Sequence, residues 1–351
     1  MQLLSEILIG FFSAYLALTN GIADQIDTLF SVADSEEAVI QKISSAYDSI
    51  PRILIENAAY QQGNIIDSIS QAAATATPLE SLVNIYCTHT IDNYTRTTTG
   101  TGFFIHDDGV ILTNAHVAQF LLLETVEGDT DCIVRTGNPA VPTYEVDLLY
   151  ISPAWVQENA NLIDAANPRG TGERDYALLY VTAGLNNTPM PRDFPALKMN
   201  TTLLPAKAIG WEVRAAGYPA EEMMRSGDMT VSLEPKEVDT SIAELLTFSS
   251  NYADLMTIEG GAIGEQGSSG GPVVNNEGQA IGIISTKGDP ALFSNRSLRA
   301  LTLSYVDRTM EEETGYRLEA YLGGNLPYRS KLFKETLGPF LKRMLERELR
   351  D

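Results

Sequence analysis

The chain has 351 residues, of which 44% are hydrophobic and 20% are charged. This length suits about two domains or one large all-β unit, and the composition excludes wholesale disorder and a polytopic membrane protein. The 24 Lys and Arg residues against 46 Asp and Glu give a net charge of −22, which repels phosphate backbones and anionic lipids. We therefore expect no nucleic-acid partner.

Residues 1–21 contain an apolar stretch, 3–18, with the length of a signal peptide or a short membrane anchor. No basic residue precedes this stretch and Glu6 interrupts it, whereas a signal peptide begins with positive charge. A signal or anchor segment and a buried amphipathic helix both stay open. The first alternative places the chain outside the cytoplasm, either released or held at a membrane through residues 3–18.

Residues 22–78 are predicted to form a helical extension that ends in a linker. Apolar residues recur at helical spacing, as at Ile22, Ile26 and Leu29, and an Ala/Thr-rich run precedes Pro78. We expect this extension to pack on the rest of the protein or to mediate assembly into a homo-oligomer.

From residue 79 to residue 315 the pattern is typical of β-structure, with short Val/Ile/Tyr/Thr runs between turn residues. The candidate strands are Val83–Thr90, Gly102–His106, Val110–Thr113, Tyr176–Val181, Val213–Ala216, Gly271–Val274, Ala280–Ser285 and Leu301–Leu303. Many short strands with little helix indicate an all-β fold of antiparallel barrels or a sandwich.

Helices are predicted again at the C-terminus, first over Tyr305–Glu313 and then in a tail at 316–351. Apolar residues form one face of the tail, and seven basic residues lie between Arg329 and Arg350. This pattern favours a helix docked on the body, with a helix for a partner or a membrane surface as the alternative.

The most informative motif is the run Gly267–Pro272, in which glycines flank Ser269. Such a loop turns tightly and presents backbone N–H groups to a developing oxyanion, which suits a nucleophilic serine. The run also fits the GxSxG elbow of α/β-hydrolases, but those enzymes place their histidine after the serine. All three histidines here, His89, His106 and His116, precede Ser269, so that alternative fails.

A nucleophilic serine needs a base, and the base needs an acceptor that orients it. His116 follows the candidate strand Val110–Thr113 and lies among small residues, where an imidazole can face a cleft. Asp175 stands at the start of another candidate strand. His106 precedes a hairpin-turn sequence and His89 lies in a Thr-rich strand, so both are interpreted as structural residues.

Taken in order, these motifs resemble the trypsin/chymotrypsin-like serine endopeptidases, and among them most closely the bacterial HtrA (Deg) type. The matching segments are Thr101–Ile105, Thr113–Val117, Asp175–Leu179, Gly217–Pro219, Gly267–Pro272 and Gly282–Ser285. The resemblance covers about residues 80 to 315. It implies two antiparallel β-barrels and a peptidase that acts on polypeptides without a cofactor or a metal.

The resemblance also implies a role for each matching residue. Ser269 is expected to be the nucleophile, His116 the general base and Asp175 the carboxylate that orients it. The N–H groups of Gly267 and Ser269 are expected to form the oxyanion hole. Ser285 is expected to support the aspartate and, with Thr286, to begin the edge that pairs with substrate.

Three departures from the family pattern qualify this picture. Ser268 replaces the aspartate that pairs with a cleaved N-terminus in the digestive branch, so activation through that ion pair is not expected. Ile263 stands where a trypsin carries an acid, which predicts a neutral pocket for aliphatic or small side chains. Few residues follow position 315, so we do not expect the PDZ domain that HtrA enzymes usually carry.

The chain has two cysteines, Cys87 and Cys132, and their spacing excludes a CxxC motif. Whether they form a disulfide with each other stays open. Two alternatives to an ordinary protease also remain. The first is a protease-fold binding or scaffold protein without catalysis, and the second is an enzyme that binds unfolded chains and cleaves only when assembled.

Overall fold

The computed structural model describes residues 76–91, 94–124, 130–163, 172–226, 232–248, 251–287 and 297–349. The predicted signal or anchor segment, the helical extension up to residue 75 and the sequence between the described ranges lie outside them. Among the described residues, none of the helices has the length and apolar character needed to cross a bilayer.

Six of the described strands close into a first antiparallel barrel, in the order β1-β2-β3-β6-β5-β4. They are β1 (Leu82–Ile91), β2 (Tyr94–His106), β3 (Val110–Thr113), β4 (Thr130–Thr136), β5 (Val141–Ile151) and β6 (Ala177–Gly184). Cys87 and Cys132 face each other across β1 and β4 and form a disulfide. The bond that the sequence left open is therefore present, and it cross-links the two strands.

Six further strands close a second barrel in the order β10-β11-β12-β9-β8-β7. They are β7 (Glu212–Gly217), β8 (Lys236–Leu246), β9 (Leu255–Glu259), β10 (Pro272–Val274), β11 (Ala280–Lys287) and β12 (Ser297–Thr302). The predicted all-β fold of two antiparallel barrels is confirmed. One predicted boundary is wrong, because Leu303 starts a helix and does not end β12.

Short helices join the strands and longer ones follow the second barrel. The α-helices of the described part are α1 (Pro78–Ser81), α2 (Ala115–Ala118), α3 (Pro153–Asn159), α4 (Glu221–Ser226), α5 (Leu303–Thr314), α6 (Leu318–Leu322), α7 (Leu326–Glu335) and α8 (Leu337–Glu348). Short 3-10 turns cover Gln119–Leu123, Ala160–Leu162, Leu185–Asn187, Ala206–Ala208 and Gly261–Ile263. Thr302 caps α5, because its hydroxyl accepts the Tyr305 N–H at 3.2 Å, and this contact turns the chain from strand to helix.

Buried side chains form a core in each barrel and a third core that includes residues of both barrels. The third core joins Phe103 and Leu112 of the first barrel to Ile283 and Leu301 of the second and to residues of α5 such as Val306. It therefore holds the two barrels in one fixed relation, so side chains from both can meet at a common site.

The C-terminal helices α7 and α8 dock on the first barrel. Phe333, Leu341 and Leu345 are buried in its core, and on the same side the Ser330 hydroxyl donates to the Leu148 carbonyl at 3.0 Å. The apolar face predicted in the tail is thus covered by the body of the protein. This arrangement matches the docked helix favoured from the sequence.

Candidate active site

Asp175 lies just before β6 and is almost fully buried, with 2% of its surface exposed. Its carboxylate accepts three hydrogen bonds, from the His116 backbone N–H at 2.9 Å, from His116 Nδ1 at 2.8 Å and from the Ser285 hydroxyl at 2.7 Å. The Asn114 side chain also donates to the Asp175 carbonyl at 2.8 Å. The carboxylate is therefore held from both barrels, because Ser285 belongs to β11.

His116 sits in the short helix α2, and its side chain remains 31% exposed. Because a carboxylate can only accept hydrogen bonds, the proton on the imidazole must be on Nδ1, facing Asp175. The other ring nitrogen, Nε2, then keeps its lone pair and can accept a proton. This is the tautomer that a general base requires.

The charges of the pair stabilise each other. Burial alone would lower the pKa of His116, but the Asp175 carboxylate raises it above the usual 6.5. Burial likewise tends to raise the pKa of Asp175, and the imidazole and the three hydrogen bonds bring it below its usual value. Asp175 thus favours an imidazolium, the form that arises after proton transfer.

Ser269 lies in the loop between the turn at Gly261–Ile263 and β10. The loop needs glycine at two points, since Gly267 has φ 96° and Gly270 has φ 91°. The Ser269 hydroxyl donates to the Ser285 carbonyl at 3.2 Å, and the described residues contain no direct hydrogen bond between Ser269 and His116. Catalytic hydrogen bonds are often long or poorly aligned in unliganded sites and tighten when substrate binds.

Two peptide groups of this loop are oriented by hydrogen bonds on their carbonyl side. The Gln266 carbonyl accepts the Ala220 N–H at 2.7 Å, and the Ser268 carbonyl accepts the Gly271 N–H at 3.0 Å. In a trans peptide the N–H points away from the carbonyl. The N–H groups of Gly267 and Ser269 therefore each point away from the hydrogen bond made by the carbonyl of the same peptide group. Neither has an acceptor among the described residues, which leaves both available to an oxyanion.

Thr101 is a further residue of the site, and no role was predicted for it from the sequence. From β2 of the first barrel, its N–H donates to the Ser269 carbonyl and its hydroxyl donates to the Gly267 carbonyl, each at 2.7 Å. The hydroxyl also accepts the Tyr218 N–H at 2.9 Å. Thr101 therefore fastens the serine loop of the second barrel to the first.

The three residues predicted to bind substrate lie in the second barrel. Ile263 is fully buried in the core of that barrel, so its effect on substrate selection stays a prediction. Ser285 contacts both Asp175 and Ser269, as described above. Thr286 follows it in β11, opposite Arg299 of β12.

The other histidines lie away from this group. His89 is hydrogen-bonded to the Thr130 hydroxyl of β4. His106 ends β2, and with Asp107 and Asp108 it forms the one group of three metal-ligating side chains close together in the described part of the chain. These three residues form the turn before β3, where the Asp108 N–H donates to His106 Nδ1 at 3.2 Å. Their contacts are those of a hairpin turn.

Comparison with known proteins gives matches to this part of the chain. Residues 100–283, more than half of the sequence, match the model of the trypsin-like peptidase domain. The chain belongs to the trypsin-like peptidase family. The matched range contains His116, Asp175 and Ser269.

Among curated proteins, this trypsin-like peptidase is similar to the chloroplastic Protease Do-like 2 of Arabidopsis thaliana, with 29% identity over 213 residues. That match covers 58% of this chain but only 28% of the relative.

Solved structures give distant matches. The active form of the Rv3671c protease from M. tuberculosis is 21% identical, with a TM-score of 0.42, and the match covers 68% of this chain and 82% of that one. Its inactive form is 22% identical, with a TM-score of 0.40, and the match covers 68% of this chain and 90% of that one.

Proposed function

We propose that the protein is an endopeptidase in which Ser269 is the nucleophile, His116 the general base and Asp175 the orienting carboxylate. One observation carries the proposal. The Asp175 carboxylate accepts hydrogen bonds from His116 and from Ser285, and the Ser285 carbonyl in turn accepts the Ser269 hydroxyl. The three residues are thus gathered from two barrels around one buried charge.

The reaction starts with attack of Ser269 Oγ on the carbonyl carbon of the scissile peptide. His116 Nε2 takes the hydroxyl proton, and the oxyanion is stabilised by the N–H groups of Gly267 and Ser269. Collapse of the intermediate breaks the C–N bond, and the imidazolium gives its proton to the leaving amine. Water, deprotonated by His116, then hydrolyses the acyl-enzyme and restores Ser269.

We further infer that the protein acts outside the cytoplasm. The Cys87–Cys132 disulfide supports this, because such bonds persist in oxidising compartments. Thiol alkylation with and without prior reduction tests the point, and reaction of both cysteines in unreduced, unfolded protein would count against it. Anchoring through residues 3–18, a homo-oligomer and a neutral pocket formed by Ile263 remain predictions.

The decisive experiment compares the wild type with Ser269→Ala. We expect a fluorophosphonate probe to label only the wild type, and the variant to lose about 10⁶-fold in kcat. Cleavage-site profiling by mass spectrometry on a peptide library would report the residue before the scissile bond, expected to be small or aliphatic. A wild type that neither labels nor cleaves would favour the scaffold alternative, and labelling of the variant would contradict the role of Ser269.

A further inference from the structure

We propose that Arg174 is a positioning residue for Asp175, held in place by helix α5 after the second barrel. This inference rests on the catalytic role proposed for Asp175. Arg174 directly precedes Asp175 and has φ 53°, in the left-handed region that non-glycine residues rarely adopt. Such a conformation persists only where surrounding contacts enforce it.

Arg174 belongs to the two tight turns that enclose Asp175. The Asp175 N–H donates to the Gly172 carbonyl at 3.3 Å, which closes a four-residue turn over Arg174. The Tyr176 N–H donates to the Arg174 carbonyl at 2.8 Å, which closes a second turn over Asp175 itself. The backbone of Arg174 thus sets the direction in which the Asp175 side chain leaves the chain.

Helix α5 holds Arg174 at three points. The backbone N–H of Arg174 donates to the Tyr305 hydroxyl at 3.1 Å. One terminal guanidinium nitrogen donates to Glu313 at 2.8 Å and the other to Glu312 at 3.0 Å. Both the main chain and the side chain of Arg174 are therefore tied to one rigid element.

The ion pair between Arg174 and Glu313 is the strongest of these contacts. The Glu313 carboxylate is only 11% exposed and also accepts hydrogen bonds from the hydroxyls of Ser152, at 2.9 Å, and Tyr150. Glu312 is 57% exposed, so solvent screens its ion pair and its contribution is small. Glu313 is thus a fixed acceptor for the guanidinium.

The residue on the other side of Asp175 is fastened to the same helix. The Tyr176 hydroxyl is hydrogen-bonded to the Thr309 hydroxyl at 2.9 Å, and the Tyr176 ring stacks on Tyr150. Helix α5 therefore fixes both neighbours of Asp175. Loss of the Arg174 contacts would let the carboxylate move relative to His116, although no atom of Arg174 need touch substrate.

The test compares Arg174→Gln with Arg317→Gln. Arg317 is a matched control, since it also contacts two carboxylates of α5, Asp307 at 2.8 Å and Glu311 at 3.0 Å, but lies away from the triad. We expect Arg174→Gln to lower kcat by about 10- to 100-fold with KM changed less than twofold, the size of a small misplacement in a catalytic group. Arg317→Gln should leave both constants within twofold.

The pH dependence gives a readout that loss of stability alone would not move. Because Asp175 raises the pKa of His116, a displaced carboxylate should shift the acid limb of kcat/KM to lower pH in Arg174→Gln. Arg174→Lys, which keeps a cation beside Glu313, should recover part of kcat. Glu313→Gln should reproduce the effect of Arg174→Gln in a milder form. It serves as the second variant if Arg174→Gln does not fold.

Two results would overturn the proposal. One is an Arg174→Gln enzyme, or a folded Glu313→Gln enzyme where Arg174→Gln does not fold, whose kcat and acid limb match the wild type. The other is an equal loss of kcat in Arg317→Gln. Fluorophosphonate labelling of the wild type distinguishes this outcome from failure of the proposed function, which would leave the wild type itself unreactive.

Discussion

The loops that carry Asp175 and Ser269 are built in opposite ways. Around Asp175, the carboxylate, the carbonyl and the N–H are all hydrogen-bonded. In the serine loop, by contrast, the N–H groups of Gly267 and Ser269 have no acceptor, and the buried Ser268 hydroxyl has no partner among the described residues. The polar groups of Asp175 are all hydrogen-bonded, whereas the serine loop keeps these donors free.

This difference fits the role that we propose for each loop. A carboxylate orients an imidazole best when several hydrogen bonds hold the carboxylate itself in place. Donors that stabilise a transition state must stay unpaired until charge develops, and the rest of the loop must hold them there. Substitutions in the two loops should therefore have different consequences.

After Ser269→Ala, Asp175→Asn should give the largest effect, a loss of about 10⁴-fold in kcat, because an amide can stabilise the wrong tautomer of His116 and carries no charge. The acid limb of kcat/KM should move to lower pH, since the carboxylate no longer raises the pKa of His116. Asp307→Asn is the matched control, a buried acid that accepts bonds from Arg317 and Leu318. It should lower the free energy of unfolding and leave kcat unchanged, and a loss below tenfold in Asp175→Asn would contradict the assignment.

Gly270→Ala should break the serine loop by steric means. A Cβ at this position would lie 1.8 Å from the Thr101 carbonyl oxygen, and φ is 91°. We expect about 10²-fold or more loss in kcat and about 3 kcal/mol in the free energy of unfolding, from backbone movement and strain together.

Gly278→Ala separates these two causes. Gly278 also has a positive φ, 73°, but a Cβ there meets nothing within 4 Å. Strain alone should cost about 1 kcal/mol in urea unfolding, with kcat unchanged. Equal effects of the two substitutions would mean that the close approach to Thr101 is unimportant.

Thr101→Val keeps the shape of the side chain and removes its hydroxyl, so the Gly267 carbonyl and the Tyr218 N–H both lose a partner. We expect kcat to fall by about 10- to 100-fold, because the loop that carries the proposed oxyanion donors is released on one side. Thr101→Ser keeps the hydroxyl and should stay within about threefold of the wild type. Similar kcat values for the two variants would exclude a role for this hydrogen bond.

The site residues predicted from the sequence and those that only the structure revealed differ in physical kind. Ser269, His116 and Asp175 stand in short motifs whose residue types follow from the chemistry itself. Thr101 and Arg174 act through partners 166 and 139 residues away, Gly267 and Glu313. Contacts between residues so far apart in the chain depend on how the two barrels and helix α5 pack against each other. No local sequence pattern predicts that packing.

The fold shows the same division. Strands with clear runs of β-branched residues, such as β3 and β11, were predicted near their observed bounds. The strands β4, β5, β8 and β9 were not predicted. In β8 only Ile242 is buried, and Lys236, Glu237 and Glu244 are poor strand formers. Its position comes from pairing with β7 and β9, which is a tertiary effect.

The smallest expected effect concerns two buried serines, Ser285 beside Asp175 and Ser268 in the serine loop. The Ser285 hydroxyl donates to Asp175, whereas Ser268 is fully buried and its hydroxyl has no partner among the described residues. A buried hydroxyl without a hydrogen bond costs about 1–3 kcal/mol, so Ser268→Ala should raise the free energy of unfolding by about 1 kcal/mol. It should leave kcat within threefold, because the backbone of the loop is unchanged.

Ser285→Ala should do the reverse, lowering kcat by about tenfold and reducing stability. If urea unfolding showed Ser268→Ala to be destabilised by as much as Ser285→Ala, the serine loop would be as saturated as the aspartate loop, and the contrast between the two halves of the site would disappear.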